Sequence, residues 1–404
     1  MLSNKRIVLG ITGSIAAYKG AEIASQLTQA GAQVNVIMTS EAIQFVSPVT
    51  FRALTGRPVV TEMFDLASEF SIEHVSLARA ADIVVIAPAT ANIIAKLAAG
   101  MADDILCCTV LATRAPVIIA PAMETSMYEN PVTQDNLSEL KARGFVVIGP
   151  SAGWLASGKE GLGRLADIDD IIGGIRRVLG RDGDLAGSHI VVTAGGTQEP
   201  IDPVRYISNR SSGKMGYALA QAARDRGAKV TLITAPASET VPVGVDVIRV
   251  NTAREMHQAV ERVAPEPQAL VMAAAVADYR PKSPGREKLK KGDAGLTLEL
   301  ECTPDILGAI KGDIIKVGFA AESSNLVDNA RMKLKQKGLH LIVANDITAS
   351  DSGFGVDTNQ VTIIDREGSV DTLPLLPKRQ VADEVLDRVA QLLPKPGPGP
   401  VSRP

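Results

Sequence analysis

The stretch Gly195–Gly216, GGTQEPIDPVRYISNRSSGKMG, decides the fold of the second half of the chain. It follows an apolar, β-branched segment, 189–194, and precedes a helical pattern at 217–226. A polar connection of this length between a strand and a helix favours a functional role, because long loops without structure of their own are uncommon in compact domains. Arg210 and Lys214 add positive charge just before a helix N-terminus, where backbone N–H groups bind anions. We therefore expect an anion or nucleotide site here, with a flexible surface loop as the alternative.

The bulk composition indicates a two-domain enzyme-like chain without an obvious polymer or membrane partner. A length of 404 residues exceeds one ordinary domain. The chain is 46% hydrophobic but only 3% aromatic, so its cores must be aliphatic, as in buried parallel sheets. The net charge of −3 gives no electrostatic signature for nucleic acid or an anionic membrane surface. The sequence has no apolar run long enough for a bilayer span and no signal-peptide pattern at its start.

Cysteine and histidine usage fits a reducing compartment. Three cysteines, two of them adjacent, do not form a disulfide framework, and the four histidines lack the spacing of a zinc site. We expect a cytoplasmic protein. Cys107 and Cys108 lie in an apolar helical pattern and are expected to be buried thiols.

The first half of the chain repeats a strand–turn–helix pattern that is typical of a doubly wound α/β domain. Strands are predicted at 6–11, 33–38, 82–87, 117–120 and 145–148, and helices at 16–29, 92–99 and 168–179. Small or polar residues follow four of these strands, at 12–14, 39–40, 88–92 and 121–124. Because the carboxyl ends of parallel strands meet in one crevice, we expect a cofactor site there, with helix capping alone as the alternative. Neither this turn nor the one at Gly195 fits the G-x-G-x-x-G dinucleotide fingerprint, which disfavours an NAD-dependent dehydrogenase.

After a polar, Gly-rich linker at 180–188, the α/β pattern restarts. Strands are predicted at 189–194, 229–234, 246–250, 269–273, 317–321, 341–344 and 360–364, and helices at 216–226, 252–264, 326–337 and 381–393. The sequence thus predicts two Rossmann-like α/β domains, at 1–180 and 189–393, and a disordered Pro- and Gly-rich tail at 394–404.

Three further segments are candidates for function. His74, ahead of a short helical run, is as compatible with a structural role as with a catalytic one. Trp154–Arg164 is Gly-rich and has the composition of a flexible lid or of a plain surface loop. The basic run 282–291 follows Asp278, so it predicts a triphosphate-binding flap, because phosphates need both cations and a metal-binding carboxylate; a solvated loop is the alternative.

Eight motifs in order resemble the bifunctional family that joins phosphopantothenoylcysteine decarboxylase to phosphopantothenate–cysteine ligase in coenzyme A biosynthesis. The resemblance covers about residues 5–393. The motifs are GITGSIAAYK, IAPATANIIAKLAAGMADD, PAM-x-x-x-MY, GGTQEPIDPVRYISNRSSGKMG, AAAVADYRP, KLKK, GFAAES and ANDI.

The resemblance implies an FMN-dependent decarboxylase in the first domain. There the flavin oxidises the terminal cysteine of the substrate, which gives an electron sink beside the carbon that loses CO2, and the same flavin then reduces the product, so that no net oxidant is used. By this likeness His74 acts as the base or orients the substrate carboxylate, from within a site shared between subunits. The residues that would hold the flavin are Gly13, Ser14, Ser40, Pro88, Ala89, Thr90, Asn92, Met123 and Glu124.

The sequence departs from the family at two positions. The family commonly has Asn where this chain has Glu124, and its flap often carries a proton-donating Cys where this chain has Ser157. A hydroxyl is a far poorer acid than a thiol. Three outcomes are open: Ser157 positions a water or Lys159, the reaction stalls at the oxidised product, or the decarboxylase activity is absent. We expect retained activity, because the flavin motifs and the flap glycines are present.

For the second domain the resemblance implies a ligase that uses CTP and Mg2+ to join 4'-phosphopantothenate to cysteine through an acyl-cytidylate. Lys288 would neutralise charge on the phosphates, and Asp278 would bind the metal. Asn209 would bind the acyl-cytidylate, and Arg210 the substrate phosphate. The nucleotide-binding residues by this likeness are Ala273, Ala274, Ala275, Asp278, Lys288, Pro304, Asp305, Ile306, Leu307, Phe319, Lys333 and Lys337.

The family likeness also implies a homo-oligomer, a dodecamer in which decarboxylase trimers are joined by ligase dimers. Two alternatives remain: an active ligase with an impaired flavoprotein domain, and a flavin-binding regulatory subunit. The second predicts loss of the ligase residues, yet Asn209, Asp278 and Lys288 are present in their motifs.

Overall fold

The computed structural model describes residues 2–63, 73–264, 266–290, 296–322, 325–346 and 355–394. The chain divides into two compact units, Met1–Gly180 and Arg181–Pro404. Five parts of the segments singled out above lie outside the described residues: residues 71–72 before His74, Lys291 of the basic run, Ser323, Ile347 and the tail from 395 onward.

A six-stranded parallel sheet forms the centre of the first unit, with strand order β3-β2-β1-β4-β5-β6. Its strands are β1 (Arg6–Ile11), β2 (Gln33–Met38), β3 (Val59–Val60), β4 (Ile83–Ala89), β5 (Val117–Pro121) and β6 (Val146–Val147). In register, Ile7 of β1 pairs with Val34 of β2 on one side and with Ile83 of β4 on the other. The strand order therefore reverses between β1 and β4, which is where doubly wound sheets bind ligands.

Helices cover both faces of this sheet, because successive residues of a strand point to opposite sides and both sides here are apolar. Leu9 and Ile11 pack with the helices Ala17–Gln29 and Ile168–Gly180 on one face, whereas Val8 and Ile86 pack with the helices Ala91–Ala99, Ile105–Ala112 and Pro131–Ala142 on the other. The helices are α1 (Ala17–Gln29), α2 (Pro48–Thr55), α3 (Glu73–Ala80), α4 (Ala91–Ala99), α5 (Ile105–Ala112), α6 (Thr125–Tyr128), α7 (Pro131–Ala142) and α8 (Ile168–Gly180), with a 3-10 turn at Ala42–Gln44.

The Gly-rich segment 154–164 is not the loop that its composition predicts. It forms most of an antiparallel hairpin, β7 (Ser151–Trp154) with β8 (Glu160–Arg164), in which Trp154 pairs with Glu160. Only its tip, 155–159, is a turn. Cys107 is buried as expected, but its neighbour Cys108 is only half-buried, because adjacent residues on a helix face different directions.

The second unit has an eight-stranded sheet in the order β13-β12-β9-β14-β17-β18-β20-β21. The strands from β13 to β18 in this order are parallel, and β20 and β21 join antiparallel at one edge. The strands of this sheet are β9 (His189–Ala194), β12 (Lys229–Thr234), β13 (Asp246–Arg249), β14 (Ala269–Met272), β17 (Ile315–Glu322), β18 (Leu341–Asp346), β20 (Val361–Asp365) and β21 (Val370–Thr372).

The second unit also contains short antiparallel pairs of strands outside its main sheet. They are β10 (Gln198–Pro200) with β11 (Tyr206–Ser208), β15 (Tyr279–Pro281) with β16 (Leu300–Cys302), and β19 (Thr358–Asn359) with β22 (Leu376–Pro377). The first pair lies inside the Gly195–Gly216 stretch, so that stretch is a folded structure rather than an open loop.

Helices again flank both faces of the second sheet. Those with residues in one core are α9 (Lys214–Asp225) and α13 (Lys378–Leu392), and those with residues in the other are α10 (Ala253–Val263), α11 (Ile306–Ala309) and α12 (Leu326–Gln336). The α9 helix begins at Lys214, earlier than predicted, so this lysine belongs to its first turn. Among the described residues, no helix combines the length and apolarity that a membrane span requires.

Candidate active sites

A cavity of about 810 Å³ lies at the carboxyl ends of the strands in the first unit. Its floor is built by Thr12, whose buried hydroxyl donates to the Pro88 carbonyl oxygen at 2.7 Å and accepts from the Thr90 N–H at 3.1 Å. These two bonds join the end of β1 to the end of β4 at the point where the strand order reverses. Thr90 also caps α4 by accepting from the Ile93 N–H at 3.3 Å. The cavity therefore sits where the strand-end pattern predicted a crevice.

The Thr12–Ser14 part of the Gly-rich turn forms one wall of this cavity, and its Gly13 has no room for a side chain. A Cβ on Gly13 would lie 2.3 Å from the Cβ of Glu41. Glu41 accepts a hydrogen bond from Ser40 at 3.0 Å, and its own backbone N–H and Ser40 lower the pKa of this carboxyl. Ser40 itself is exposed, and Thr39 and Glu41 line the cavity in its place.

A charged cluster, which was not among the residues predicted from the sequence, lies on another part of the wall. Lys96 of α4 makes ion pairs with Asp103 at 2.9 Å and Asp104 at 3.1 Å. These partners raise the pKa of the lysine, and burial together with Asp104 raises the pKa of the Cys107 thiol to about 12. Lys96 and Asp104 line the cavity. They come from different helices, so no local spacing pattern could have linked them.

The hairpin β7–β8 covers another side of the cavity and packs tightly on the segment after β5. The Met123 N–H donates to the Gly163 carbonyl oxygen at 2.9 Å. A Cβ on Gly163 would lie 2.2 Å from the Met123 carbonyl oxygen, and one on Gly161 would lie 2.2 Å from Oγ1 of Thr125. Gly161 and Gly163 therefore permit close packing of the hairpin against this segment.

At the tip of this hairpin, the two positions that depart from the family pattern meet. The Ser157 hydroxyl donates to Oε2 of Glu124 at 2.7 Å, across 33 positions of sequence. Both residues line the cavity, Glu124 half-buried and Ser157 exposed. Lys159, the alternative proton source, is exposed, and among the described residues around the cavity it is not part of the lining. Hydroxyl and carboxylate thus form one pair.

The other predicted residues of the first unit divide into two groups. Gly13, Ser14, Thr90, Asn92 and Met123 line the cavity. Pro88 and Ala89 are buried within β4, where Pro88 contributes only its carbonyl oxygen. His74 is half-buried in the first turn of α3 and, among the described residues, stands outside the cavity lining.

The residues around the cavity fit an FMN-sized ligand. The volume falls within the range of small-molecule sites, and the wall combines the close backbone approach at Gly13, the first turn of α4 and apolar surface from Trp154 and Leu155. A flat apolar ring system and a polar chain ending in a phosphate match this combination.

In the second unit, the Gly195–Gly216 stretch crosses the carboxyl ends of β9 and β14. Gly195 has a φ of +79°, and a Cβ there would lie 2.4 Å from the Ala235 carbonyl oxygen. The stretch is bonded to residues 275–277: the Ala275 N–H donates to the Gly195 carbonyl oxygen at 2.8 Å, and the Ala277 N–H donates to Oγ1 of Thr197 at 2.9 Å. This connection places the stretch beside the predicted nucleotide residues Ala273–Ala275.

Asn209 is held at this junction. Its side-chain amide donates to the Val276 carbonyl oxygen at 3.0 Å, across 67 positions of sequence. The neighbouring Arg210 is exposed. Asn209 is also exposed, so its remaining polar atoms face solvent, where a ligand could reach them.

A series of contacts links this junction to the other predicted nucleotide residues. Thr303 donates through its N–H to the Asp278 carbonyl oxygen at 2.9 Å and through its hydroxyl to the Ala277 carbonyl oxygen at 2.6 Å. The helix that follows contains Ile306 and Leu307, and Asp305 at its N-cap pairs with Lys337 at 3.1 Å. Asp278, Pro304–Leu307 and Lys337 are therefore neighbours.

Phe319 lies in β17, the strand next to β14, and Lys333 lies in α12, the helix that follows β17. Lys333 pairs with Glu322 at the end of β17, at 2.7 Å. Phe319 is half-buried within β17. Lys333 in α12 and Lys337 just after it thus both have carboxylate partners in this structure, and phosphate oxygens would have to compete with those partners. Lys288, by contrast, is exposed.

Family models and relatives match the chain over nearly its whole length. The family described as Flavoprotein matches residues 1–180, and the family described as DNA/pantothenate metabolism flavoprotein C-terminal domain matches residues 185–393. The chain is 46% identical over 398 residues to the coenzyme A biosynthesis bifunctional protein CoaBC of Bacillus subtilis strain 168, a match that covers 97% of this chain and 98% of the relative.

A second relative and one solved structure complete the comparison. The CoaBC protein of Vibrio cholerae is 44% identical over 391 residues, covering 95% of this chain and 98% of the relative. The crystal structure of the C-terminal domain of a CoaBC protein is 39% identical and covers 52% of this chain and 97% of that chain, with a TM-score of 0.45.

Proposed function

Because the chain belongs to the family of coenzyme A biosynthesis bifunctional proteins, we propose that it makes 4'-phosphopantetheine from 4'-phosphopantothenate and cysteine in two steps. The second unit joins the two substrates at the expense of CTP. The first unit then removes CO2 from the product, phosphopantothenoylcysteine. The observation that carries the ligase half is the contact between Asn209 and Val276, which brings two motifs far apart in sequence to one strand-end site.

In the ligase step, a carboxylate oxygen of 4'-phosphopantothenate attacks the α-phosphorus of CTP, and the bond to pyrophosphate breaks. The cysteine nitrogen then attacks the acyl carbon, CMP leaves, and the nitrogen loses a proton. Lys288 offsets the charge that builds on the phosphates, and exposed Asp278 offers a carboxylate to Mg2+. Asn209 binds the acyl-cytidylate next to the 275–277 backbone, and Arg210 binds the phosphate of the pantothenate.

A mass-resolved assay tests the ligase step. The full chain, incubated with 4'-phosphopantothenate, cysteine, CTP and Mg2+, is expected to yield phosphopantothenoylcysteine, CMP and pyrophosphate. Lys288→Ala should reduce pyrophosphate release by about a hundredfold or more, the scale of losing one preorganised electrostatic contact. Lys229→Ala is the control, since this exposed lysine of the same unit lies at the start of β12, away from the carboxyl ends of the strands. Unchanged pyrophosphate release by Lys288→Ala contradicts the assignment.

In the decarboxylase step, FMN would be held by Gly13, Ser14, Thr90, Asn92 and the hairpin wall. When bound, it supplies reversible two-electron chemistry beside the carbon that loses CO2. The Ser157–Glu124 pair holds a proton at this position, where the family often has a thiol. His74, outside the described lining, acts on the substrate from a neighbouring subunit.

The flavin half has its own test. The purified protein is expected to be yellow, to release FMN on denaturation, and to release CO2 from phosphopantothenoylcysteine. Colourless protein without CO2 release would leave the second candidate function, an active ligase with an impaired or regulatory flavoprotein unit. The observation that favours this second candidate is the hydroxyl at position 157, because it is a much weaker acid than a thiol.

The assembly is part of the proposal. We expect the twelve-chain arrangement of decarboxylase trimers joined by ligase dimers that the family resemblance implies. Native mass spectrometry of the full chain would measure it, and a stable monomer that retains both activities would contradict it.

A further inference from the structure

The short basic segment 285–289, which carries Lys288, is attached at both ends to the Gly195–Gly216 stretch. At one end, the Gly285 N–H donates to the Ile201 carbonyl oxygen at 2.8 Å. At the other end, the Leu289 N–H donates to Oδ2 of Asp202 at 3.1 Å, and the Arg205 guanidinium donates to the Leu289 carbonyl oxygen at 2.9 Å. Lys288 therefore projects from a segment with two fixed ends.

Asp202 is the centre of this attachment. Its side chain has no solvent exposure, and all its hydrogen-bond partners are N–H groups. Oδ1 accepts from the backbone N–H groups of Val204 at 2.8 Å and Arg205 at 2.9 Å. Oδ2 accepts from the Arg205 guanidinium at 2.5 and 3.0 Å as well as from Leu289. A group with this set of partners must be an ionised carboxylate, which only accepts.

The electrostatics agree with this geometry. The hydrogen bonds from Arg205, followed by those from the backbone N–H groups, hold the pKa of Asp202 well below its usual range. The carboxylate therefore stays charged at every pH at which the enzyme works.

This arrangement matters because Lys288 itself is poorly constrained. Arg286, Glu287 and Lys288 are all exposed, and a lysine ammonium is a point charge on a flexible stem. Electrostatic stabilisation requires that the charge be in place before the reaction, so the backbone that carries the lysine has to be fixed. The bond from Leu289 to Asp202 fixes that backbone one residue away.

We propose that Asp202, together with Arg205, is a positioning residue that holds Lys288 against the triphosphate of the nucleotide. The proposal rests on the proposed ligase function and adds a role for two residues that do not touch the substrate. Neither belongs to the set of substrate-binding residues inferred from the family motifs.

A double-mutant cycle on CTP affinity tests the proposal with the full chain. In Asp202→Asn, the NH2 group must face either the backbone N–H groups of Val204 and Arg205 or the donors from Arg205 and Leu289, so the attachment is weakened in either orientation. We expect Asp202→Asn and Lys288→Ala each to weaken CTP binding about tenfold, the scale of one hydrogen bond to a charged group. The double variant should bind CTP no more weakly than Lys288→Ala alone, because Asp202 acts through Lys288. Titration calorimetry in the presence of Mg2+ measures all four dissociation constants.

The rate of trypsin cleavage within segment 285–289 tests independently whether this segment is held by Asp202. Cleavage after Arg286 and Lys288 in the folded protein should be at least about tenfold faster in Asp202→Asn than in the wild type, because cleavage of a native segment follows its local opening. Asp184→Asn is the matched control: its carboxylate bonds to Arg226 within the same unit, at 2.9 Å, and has no role in this segment. Trypsin should cleave Asp184→Asn at the wild-type rate, and this variant should bind CTP with the wild-type affinity.

A second variant covers the case in which Asp202→Asn does not fold. Arg205→Lys keeps the charge of a side chain that is 45% exposed, but it cannot reach both Asp202 and the Leu289 carbonyl oxygen. Arg205→Lys should also weaken CTP binding and speed trypsin cleavage, but less than Asp202→Asn does. Additive losses in the cycle, or wild-type CTP affinity and cleavage in a folded Asp202 or Arg205 variant, overturn the proposal.

The failure of the ligase function itself is recognised separately. If the wild type neither binds CTP nor releases pyrophosphate, the proposed function fails before any variant is compared. The trypsin rates then report on the attachment alone.

Discussion

At the scale of single residues, the pair Ser157 and Glu124 bears most directly on the proposed decarboxylase step. Each residue alone is a departure from the family pattern, and the structure joins them by a 2.7 Å hydrogen bond at the cavity. A hydroxyl that donates to a carboxylate is already committed as a donor, so proton delivery to a substrate runs through this pair or through a water bound to it. Under the proposed function, the pair stands at the position of the single thiol that the family often uses.

The substitution Ser157→Cys tests whether the missing thiol limits the reaction. A thiol has a pKa near the working pH, so we expect it to speed the protonation step about tenfold or more. Single-turnover formation of 4'-phosphopantetheine, followed by mass, measures this rate. Ser151→Cys places a thiol in the same hairpin away from Glu124 and should change nothing. An unchanged rate in Ser157→Cys would show that the pair is not limiting.

At the scale of elements, the hairpin β7–β8 shows that a high glycine content does not by itself indicate a loop. The Gly-rich, mixed-charge segment 154–164 suggested a flexible lid, but the glycines serve close packing against Met123 and Thr125. The composition of a segment indicates only how freely its own backbone can move. It does not reveal a contact with a remote position, such as the hydrogen bond between Met123 and Gly163. A fixed wall is the result.

Gly163→Ala should disrupt this wall. Its Cβ would lie 2.2 Å from the Met123 carbonyl oxygen, so the hairpin must shift, at a cost of about 1–3 kcal/mol. We expect weaker FMN binding, measured by flavin fluorescence, and a lower melting temperature. Gly158→Ala separates clash from backbone strain: Gly158 has a φ of +80°, but a Cβ there meets no atom within 4 Å. Equal FMN affinity in the Gly163 variant and the wild type would contradict the role of the wall.

At the scale of the whole molecule, each unit has its own sheet and its own cores. The cores of the first unit draw on residues from Leu2 to Ile175, and those of the second on residues from Leu185 to Leu393. A core of this kind supports independent folding.

Residues 1–180 and 181–394, produced separately, are therefore expected to fold on their own. Each should unfold cooperatively in a calorimeter, the first binding FMN and the second releasing pyrophosphate from CTP. A division at residue 250, within the second sheet, is the control and should give an unfolded C-terminal fragment. Loss of cooperative unfolding in either natural half would argue against two independent domains.

The second unit should also lose stability in mild acid. Burial lowers the pKa of His189 and of His340, with Lys229 adding to the effect at His189 and Arg366 and Lys316 at His340. Both histidines therefore bind a proton less readily in the folded state than in the unfolded chain, which takes up protons below a pH of about 6.5. Stability is full above that pH and falls as the pH is lowered through it.

The measurement is the melting temperature of the second unit between about pH 7.5 and pH 5.5, which should fall by several degrees. The Nδ1 atom of His340 accepts from the Lys316 N–H at 3.1 Å, so protonation there also removes a hydrogen bond. His340→Gln combined with His189→Gln should flatten the pH dependence. A dependence that is unchanged in the double variant would exclude these two groups as its source.

The sequence by itself determined the class of fold and the family. Apolar periodicity placed the main strands and helices, since burial repeats at the spacing of each element, and the fold class and family inferred from it and from the motifs are confirmed. Errors fell on segments where glycine or charge dominates, such as 154–164 and the first turn of α9 at Lys214.

Only the tertiary structure decided which side chains meet. The pairs Ser157–Glu124, Lys96–Asp104 and Asp202–Leu289 join separate elements. Local periodicity reports which face of an element is buried, but a contact between elements depends on strand order and on how tightly the backbones approach. For that reason the candidate site residues could be named from motifs, whereas the contacts that hold them in place became visible only in the folded chain.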